Sequence, residues 1–439
     1  MTNNCFPLRQ TADRADMERF AFLSAEQARA VQTQFGTPAF VYDQQTLEEQ
    51  ARQALAFPNA FGLRVRYAMK ACPNTALVRL LNQQGLHLDV SSGFEARRAL
   101  RAGVPAAHLQ LTAQQLPAEL GELVAQGVRF NACSLHQLRA FGQLCPGGEL
   151  GIRVNPGLGS GHNNRTNVGG PSSSFGIWHE YLDQVLALQR EFALQLTTLH
   201  SHIGSGSDPE VWQRCARLTL AIAARLPQVQ TVNLGGGFKV GRMPGEVSTD
   251  LQAAGRPIAE EFAHFHQEHG RRLLLEIEPG TFFAANAGAL VCTAIDVVDT
   301  GPSGYAFIKV DSGMTEVLRP SLYGAQHPIA VVPARPEPRG QRDYLVVGHC
   351  CESGDVLTPE PGNPEGLLPR TLTEARIGDA VVIGGSGAYC AGMAAKNYNS
   401  FPEAPEILLD REGRFHLIRR RQTLDQVLAN EQMPEFLKA

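Results

Sequence analysis

Between residues 63 and 280, short apolar runs alternate with longer stretches whose apolar positions recur every three or four residues. The short runs predict strands at LRVRYAMK (63–70), LHLDV (86–90), HLQLT (108–112) and VRFNA (128–132). Four more follow at ELGIRVNP (149–156), LQLTTLHSHIG (194–204), VQTVNLGGG (229–237) and RLLLEIEPG (272–280). Between them, stretches such as FEARRALRAG, LPAELGELVAQG and EVWQRCARLTLAIAARL predict amphipathic helices. This rhythm fits an α/β fold of the (β/α)₈ barrel type. An open doubly wound sheet would alternate too, but usually with fewer strands. The polar, glycine-rich segment GLGSGHNNRTNVGGPSSSFGIW (157–178) interrupts one connection and is expected to be a loop at the active-site end.

Outside that span the pattern changes. Ser24 to Phe35 predicts a helix, with Ser24 as cap and Gln27 three residues on. TPAFVYD (37–43) predicts a strand, and Asp43 a cap for the next helix. Past about residue 285, strand-like runs take over: ALVCTAIDVVDT, YAFIKVDSG, DYLVVGHC, AVVIGG, and EILLD paired with GRFHLI. The expected division is therefore an N-terminal helix and strand over 1–43, a barrel over 44–285 and a mostly-β domain over 286–439. The N-terminal strand is expected to join the β domain.

Composition narrows the function classes. At 439 residues the chain exceeds one typical domain, and its formal net charge of −4 gives no basic field for nucleic acid or an anionic membrane. The longest apolar runs, such as Leu273 to Ile277, are too short to span a bilayer. The N-terminus lacks a basic region followed by an apolar core, so a cytoplasmic location is expected. Nine scattered cysteines without a CxxC pair point away from a disulfide framework and from a metal site.

Several residues could carry chemistry. Lys70 closes the first strand and, by alternation, points opposite to Leu63, Val65, Tyr67 and Met69. A lysine at the mouth of a barrel can be a desolvated nucleophile; a solvated strand-end lysine is the ordinary alternative. Glycine clusters HSHIGSG (200–206), NLGGGF (233–238) and EPG (278–280) follow late strands, where backbone N–H groups can hold a phosphate or simply form tight turns. Glu278 could keep a pyridine nitrogen protonated or be a structural acid. His202 could stack on a flat ring or be a buried, hydrogen-bonded histidine. In GHCCESGD (348–355), a cysteine beside His349 could donate a proton or be an inert buried thiol.

Taken in order, YAMKA, HIGSG, GGG, EPG, RPSLYGAQH (319–327), CESGD and GAY resemble the fold-type III pyridoxal-phosphate-dependent decarboxylases. That family is related to ornithine and arginine decarboxylases and to alanine racemase. RVNPGLGSGH, TNVGG, GIW, CESGDVLT, NYNSFPEAPEIL and LIRRRQTLDQVL are similar to the diaminopimelate decarboxylases, over about residues 37 to 430. The resemblance implies decarboxylation of meso-2,6-diaminopimelate to L-lysine by a homodimer with shared active sites. Lys70 would be the covalent attachment point of pyridoxal phosphate, with His202 on a ring face and Glu278 at the ring nitrogen. Ser205, Gly237 and the turn at Gly280 would hold the phosphate, with Tyr389 near the cofactor. Cys351 would protonate the product carbanion with help from Glu352; Arg319, Tyr323, Glu352 and Tyr389 would meet the substrate.

Two positions depart from the family. Where it reads EPGR, with the arginine on a substrate carboxylate, this chain has Thr281; where it reads NYNSR, this chain has Phe401. Either Arg319 and a nearby basic group take over that carboxylate, or the substrate lacks it. Competing expectations are a decarboxylase of another amino acid or of a siderophore or antibiotic intermediate, a racemase-like isomerase, and a non-catalytic cofactor-binding protein.

Overall fold

A computed structural model describes residues 22–158, 168–202, 204 and 209–438. The described residues form two compact units, one within Leu47–Val240 and Val247–Phe283, the other of residues 22–46, Gly241–Glu246 and 284–438. Among the described residues no helix is long and apolar enough to cross a membrane.

The first unit is a closed parallel barrel. Its strands are β1 (Leu63–Ala68), β2 (His87–Val90), β3 (Leu109–Leu111), β4 (Arg129–Ala132), β5 (Glu149–Asn155), β6 (Gln195–His200), β7 (Thr231–Asn233) and β8 (Leu274–Ile277). Each pairs in parallel with its neighbours in sequence, β8 returns to β1, and β4 joins β5 to complete the ring. Helices start where short polar side chains can cap them: Ser92 Oγ and Ser134 Oγ each accept a backbone N–H three residues on, at 3.1 Å. The stretch LPAELGELVAQG is helical only over Leu120–Ala125, because a turn at Pro117 occupies its start.

The inward face of this barrel is polar. Valine, isoleucine and leucine commonly fill such interiors, yet here Arg66 is fully buried and pairs through two nitrogens with Glu276, at 3.0 and 3.1 Å. Arg64 also reaches Glu276. Burial alone would raise the Glu276 pKa, but the two guanidiniums outweigh it and the group lies below its ordinary value. The apolar residues of the same strand, Val65 and Tyr67, occupy the opposite face.

The second unit opens with helix Ala25–Phe35, held by the capping box of Ser24 and Gln27. Strand Ala39–Asp43 lies between Gly288–Asp299, antiparallel, and Glu406–Leu409, parallel. The sheet continues on one side through Ala306–Val310, Gln341–Val347 and Arg370–Thr373, and on the other through Phe415–Arg419. Ala380–Ile383 pairs with Gly288–Asp299 and carries Ile329–Val332 on its far side. Val31, Val41, Val291, Val382 and Ile407 form part of its core.

Removing one partner of the buried pair should cost more than removing both. Arg66→Met is expected to lower stability by about 3 kcal/mol, and Arg66→Met/Glu276→Leu by clearly less, in chemical denaturation. A double variant as unstable as the sum of the single ones would contradict this account of the barrel interior.

Candidate active site at the ends of the barrel strands

Strand β1 stops at Ala68, two residues before the predicted end at Lys70, and Lys70 sits in the 3₁₀ turn Met69–Ala71 that follows. Its Nζ lies 3.7 Å from Asp89 Oδ2 and donates to Ser91 Oγ at 3.4 Å. The lysine side chain is 46% exposed and that of Asp89 only 3%, so the carboxylate is anchored in the wall and the amine stands at the opening. Burial raises the Asp89 pKa, against the opposing charges of Lys70, Arg66 and Arg153.

Glu278 lies one residue beyond β8 and is buried. Asn233 Nδ2 donates to its Oε1 at 2.5 Å, and His200 Nε2 is 3.5 Å from its Oε2. His200 Nδ1 in turn accepts from Asn131 Nδ2 at 2.8 Å. Asn131 is on β4, His200 on β6 and Glu278 just past β8, so these contacts join strands that are not neighbours and cross the barrel interior. Burial first, and the negative charge of Asp89 second, push the Glu278 pKa up to about 8; Lys70 and Asn233 oppose them.

Glycines bring backbone and rings close to this cluster. A Cβ on Gly236 would stand 2.6 Å from the Glu278 carbonyl oxygen, and one on Gly235 would stand 2.5 Å from His202 Nδ1. Gly235 and Gly237 also have φ of +69° and +109°, which other residues rarely adopt. A Cβ on Gly280 would meet the Cβ atoms of Ala68 and Ala71 at 3.2 Å, so EPG lies against the turn that carries Lys70. His202 Nδ1 is buried without a partner among the described residues. Burial, then the charge of Arg153, holds the imidazole neutral, well below its usual pKa.

The structure thus gathers Lys70, His202, Gly237, Glu278 and Gly280 at one end of the barrel. Ser205 lies outside the described residues, as do residues 159–167 of the predicted loop. Asn155 Oδ1 accepts the N–H groups of Gly157 at 3.1 Å and Gly170 at 2.9 Å. Asp89, Asn131, Arg153, His200 and Asn233 belong to the same cluster and were not singled out from the sequence. Their signal is in the sequence: each is a polar side chain next to apolar strand residues, at a position that alternation turns inward.

These residues fit pyridoxal phosphate. They offer an amine for its aldehyde and a buried carboxyl, already held at one oxygen, for its ring nitrogen. The unpartnered His202 nitrogen lies against Gly235, the first of three consecutive glycines that bring no side chains of their own, a surface that suits a phosphate or a flat ring.

The remaining candidates lie in the second unit. Arg319 and Tyr323 bound one short helix, Arg319–Tyr323. Tyr389 has φ of +57°, a costly conformation for a non-glycine residue that persists only where its surroundings impose it. The two adjacent cysteines are unlike. Cys350 donates its backbone N–H to Asp355 Oδ2 at 2.9 Å, and burial together with that carboxylate pushes its thiol up to about 12. Cys351 is exposed, its N–H given to Asn399 Oδ1 at 2.9 Å. Glu352 is exposed beside it, its Oε1 accepting the Gly354 N–H at 3.2 Å. Phe401 stacks on His349 with centroids 3.6 Å apart, so the aromatic ring gives this position a packing role.

Residues 45–285 match the family model described as pyridoxal-dependent decarboxylase, pyridoxal binding domain. The chain is 37% identical over 427 residues to the diaminopimelate decarboxylase of Streptomyces coelicolor, covering 94% of this chain and 93% of that one. It is 37% identical over 425 residues to the enzyme of that name from Escherichia coli K12, covering 93% and 97%. A crystal structure of diaminopimelate decarboxylase superposes with a TM-score of 0.85 at 34% identity, covering 92% of this chain and 96% of that one.

A carboxyl whose pKa is raised in the folded barrel is most stabilising when protonated, and that benefit is lost as pH rises from its unfolded value toward 8. For the cofactor-free protein, Glu278→Gln should therefore become progressively more stable than the parent between about pH 5 and 8, by up to a few kcal/mol. Thermal melts across that range are the check; a constant difference would contradict the buried carboxyl described above.

Proposed function

Because this chain belongs to the diaminopimelate decarboxylase family of pyridoxal-dependent decarboxylases, we propose that it removes the α-carboxylate of meso-2,6-diaminopimelate to give L-lysine and CO₂. The observation that carries this reading is the amine of Lys70 at the mouth of the barrel, its charge reaching the buried carboxyl of Glu278.

Lys70 would hold the cofactor, with Asp89 keeping the amine at the strand ends. Bound there, pyridoxal phosphate supplies an electron sink for the pair left behind when the carboxylate departs. Glu278, fixed by Asn233, would keep a proton at the ring nitrogen, since a cation beside it favours its ionised form. His202 would lie against the ring, and backbone N–H groups of the loop through Gly237 and the turn at Gly280 would receive the phosphate, with Ser205 beside them. Tyr389 would pack near the cofactor. Arg319, Tyr323 and Glu352 would hold the far end of the substrate, and Cys351 would return a proton to the α-carbon with Glu352 assisting. The choice between the vicinal thiols rests on their surroundings: Cys350 is half-buried beside Asp355, whereas Cys351 is exposed. We place the enzyme in the cytoplasm as a homodimer in which Cys351, Glu352 and Tyr389 of one copy serve the barrel of the other.

The test is CO₂ release by the purified holoenzyme from meso-diaminopimelate, L-lysine and L-ornithine. Turnover confined to meso-diaminopimelate is expected, and preferred turnover of another amino acid would overturn the substrate. Cys351→Ala should slow turnover by about 10²–10⁴, while Cys350→Ala keeps most of it. The reverse order would move the proton donor.

A further inference from the structure

Two arginines of the second unit are short of hydrogen-bond partners in one place. Arg242 comes from the segment Gly241–Glu246 and Arg319 from the helix Arg319–Tyr323. Arg242 Nη2 and Arg319 Nε are both buried with no partner among the described residues. A buried, unsatisfied donor on a charged group is costly, and two like charges in one neighbourhood add to the cost. Burial, then the charge of Arg319, pulls the Arg242 pKa down to about 9.

Among the described residues no acid is hydrogen-bonded to Arg242 Nη2 or Arg319 Nε, and the Cys390 thiol beside them is kept protonated by burial, its pKa pushed up to about 11. Glu246 is the acid closest in sequence to Arg242, but its Oε2 accepts the backbone N–H groups of Arg242 at 2.8 Å and Met243 at 3.1 Å, closing the turn. His327 is neutral, held well below its usual pKa by burial and by both guanidiniums. Meanwhile Arg242 is firmly placed. Its Nε donates to the Gly385 carbonyl at 3.1 Å, and its stem passes so close to Gly385 that a Cβ there would stand 3.0 Å from Cγ and Cδ. A purely structural clamp on Gly385 needs Nε alone and leaves Nη2 without a purpose.

We infer that Arg242 and Arg319 form a carboxylate-binding pair, in which Arg242 supplies the guanidinium that the family resemblance expects at position 281 and this chain lacks. The occupant is the distal carboxylate of the substrate, so the inference rests on the proposed decarboxylase reading. A carboxylate has the lone pairs to accept from both guanidiniums, which the Thr281 hydroxyl cannot imitate. Arg242 is then a specificity-determining residue contributed by a loop that the family motif does not include.

The experiment compares wild type, Arg242→Gln and Arg242→Lys on meso-diaminopimelate and on its monoamide, in which the distal carboxylate is a carboxamide. Losing one charge-assisted contact should raise KM for the diacid by about tenfold or more, with the monoamide little changed and Arg242→Lys in between. An equal effect on both compounds, or none on the diacid, overturns the inference while leaving the decarboxylase reading intact. If wild type releases CO₂ from neither compound, the decarboxylase reading fails instead. Calorimetric titration of pimelate into wild type and Arg242→Gln then decides the arginine pair alone. Binding lost in the variant supports it; equal binding, or none to wild type, overturns it.

Discussion

Asp89 and Glu278 are two nearly fully buried carboxyl groups within the field of a single amine, and the arrangement around Lys70 follows from accommodating them. Neither could stay in a low-dielectric wall without compensation. Asp89 has Lys70 within 3.7 Å, and Glu278 has Asn233 at one oxygen and His200 near the other. The mutual repulsion of the two acids and their shared attraction to Lys70 make the strand ends an electrostatic unit rather than a set of separate side chains. Below it, the Arg66–Glu276 pair continues the polar interior toward the other end of the barrel. The glycines then let the backbone of EPG approach Ala68 and Ala71, which sets Lys70 and Glu278 on facing loops.

Much of this was legible in the sequence because barrels repeat. Eight apolar runs with helical stretches between them gave strands within a few residues of those observed, and the caps at Ser24 and Asp43 fell where the residue types put them. Lys70 was found because it ends a strand, although the strand stops two residues short of it. The inward polar set was passed over because a single Asp89 in LHLDV or Asn233 in TVNL looks like a strand interrupted, not like one wall of a shared cluster. Only the closed topology shows that Asn131, His200 and Glu278 face one another. In the second unit, Ile329–Val332 and Arg370–Thr373 are not among the predicted strands; RTLT carries a single apolar residue, Leu372, which leaves alternation nothing to mark. Arg242 was invisible for another reason: its partner Arg319 is far along the chain, and unmet hydrogen-bonding capacity is a property of packing.

The two departures from the family pattern have different physical meanings. Phe401 fills its place by stacking on His349, so a charge has been exchanged for packing. Thr281 begins the short helix Thr281–Ala284 and offers no substitute for a guanidinium. The compensation lies in a loop elsewhere, at Arg242. A change that looks like a loss of substrate binding in a motif can therefore be a relocation of the same charge. In the same way, the adjacent thiols of Cys350 and Cys351, indistinguishable by residue type, differ in their surroundings: Asp355 accepts the Cys350 N–H, whereas the Cys351 N–H goes to Asn399.

The central claim is that the amine of Lys70 binds the cofactor covalently. Lys70, Lys239, Lys309, Lys396 and Lys438 are the only lysines, so the site of attachment can be read without ambiguity. The holoenzyme should be reduced with borohydride, digested and analysed by mass spectrometry. A phosphopyridoxyl mass on the peptide containing Lys70, and on no other, is the predicted result. The same mass on Lys239 or another lysine, or on none, would contradict the account.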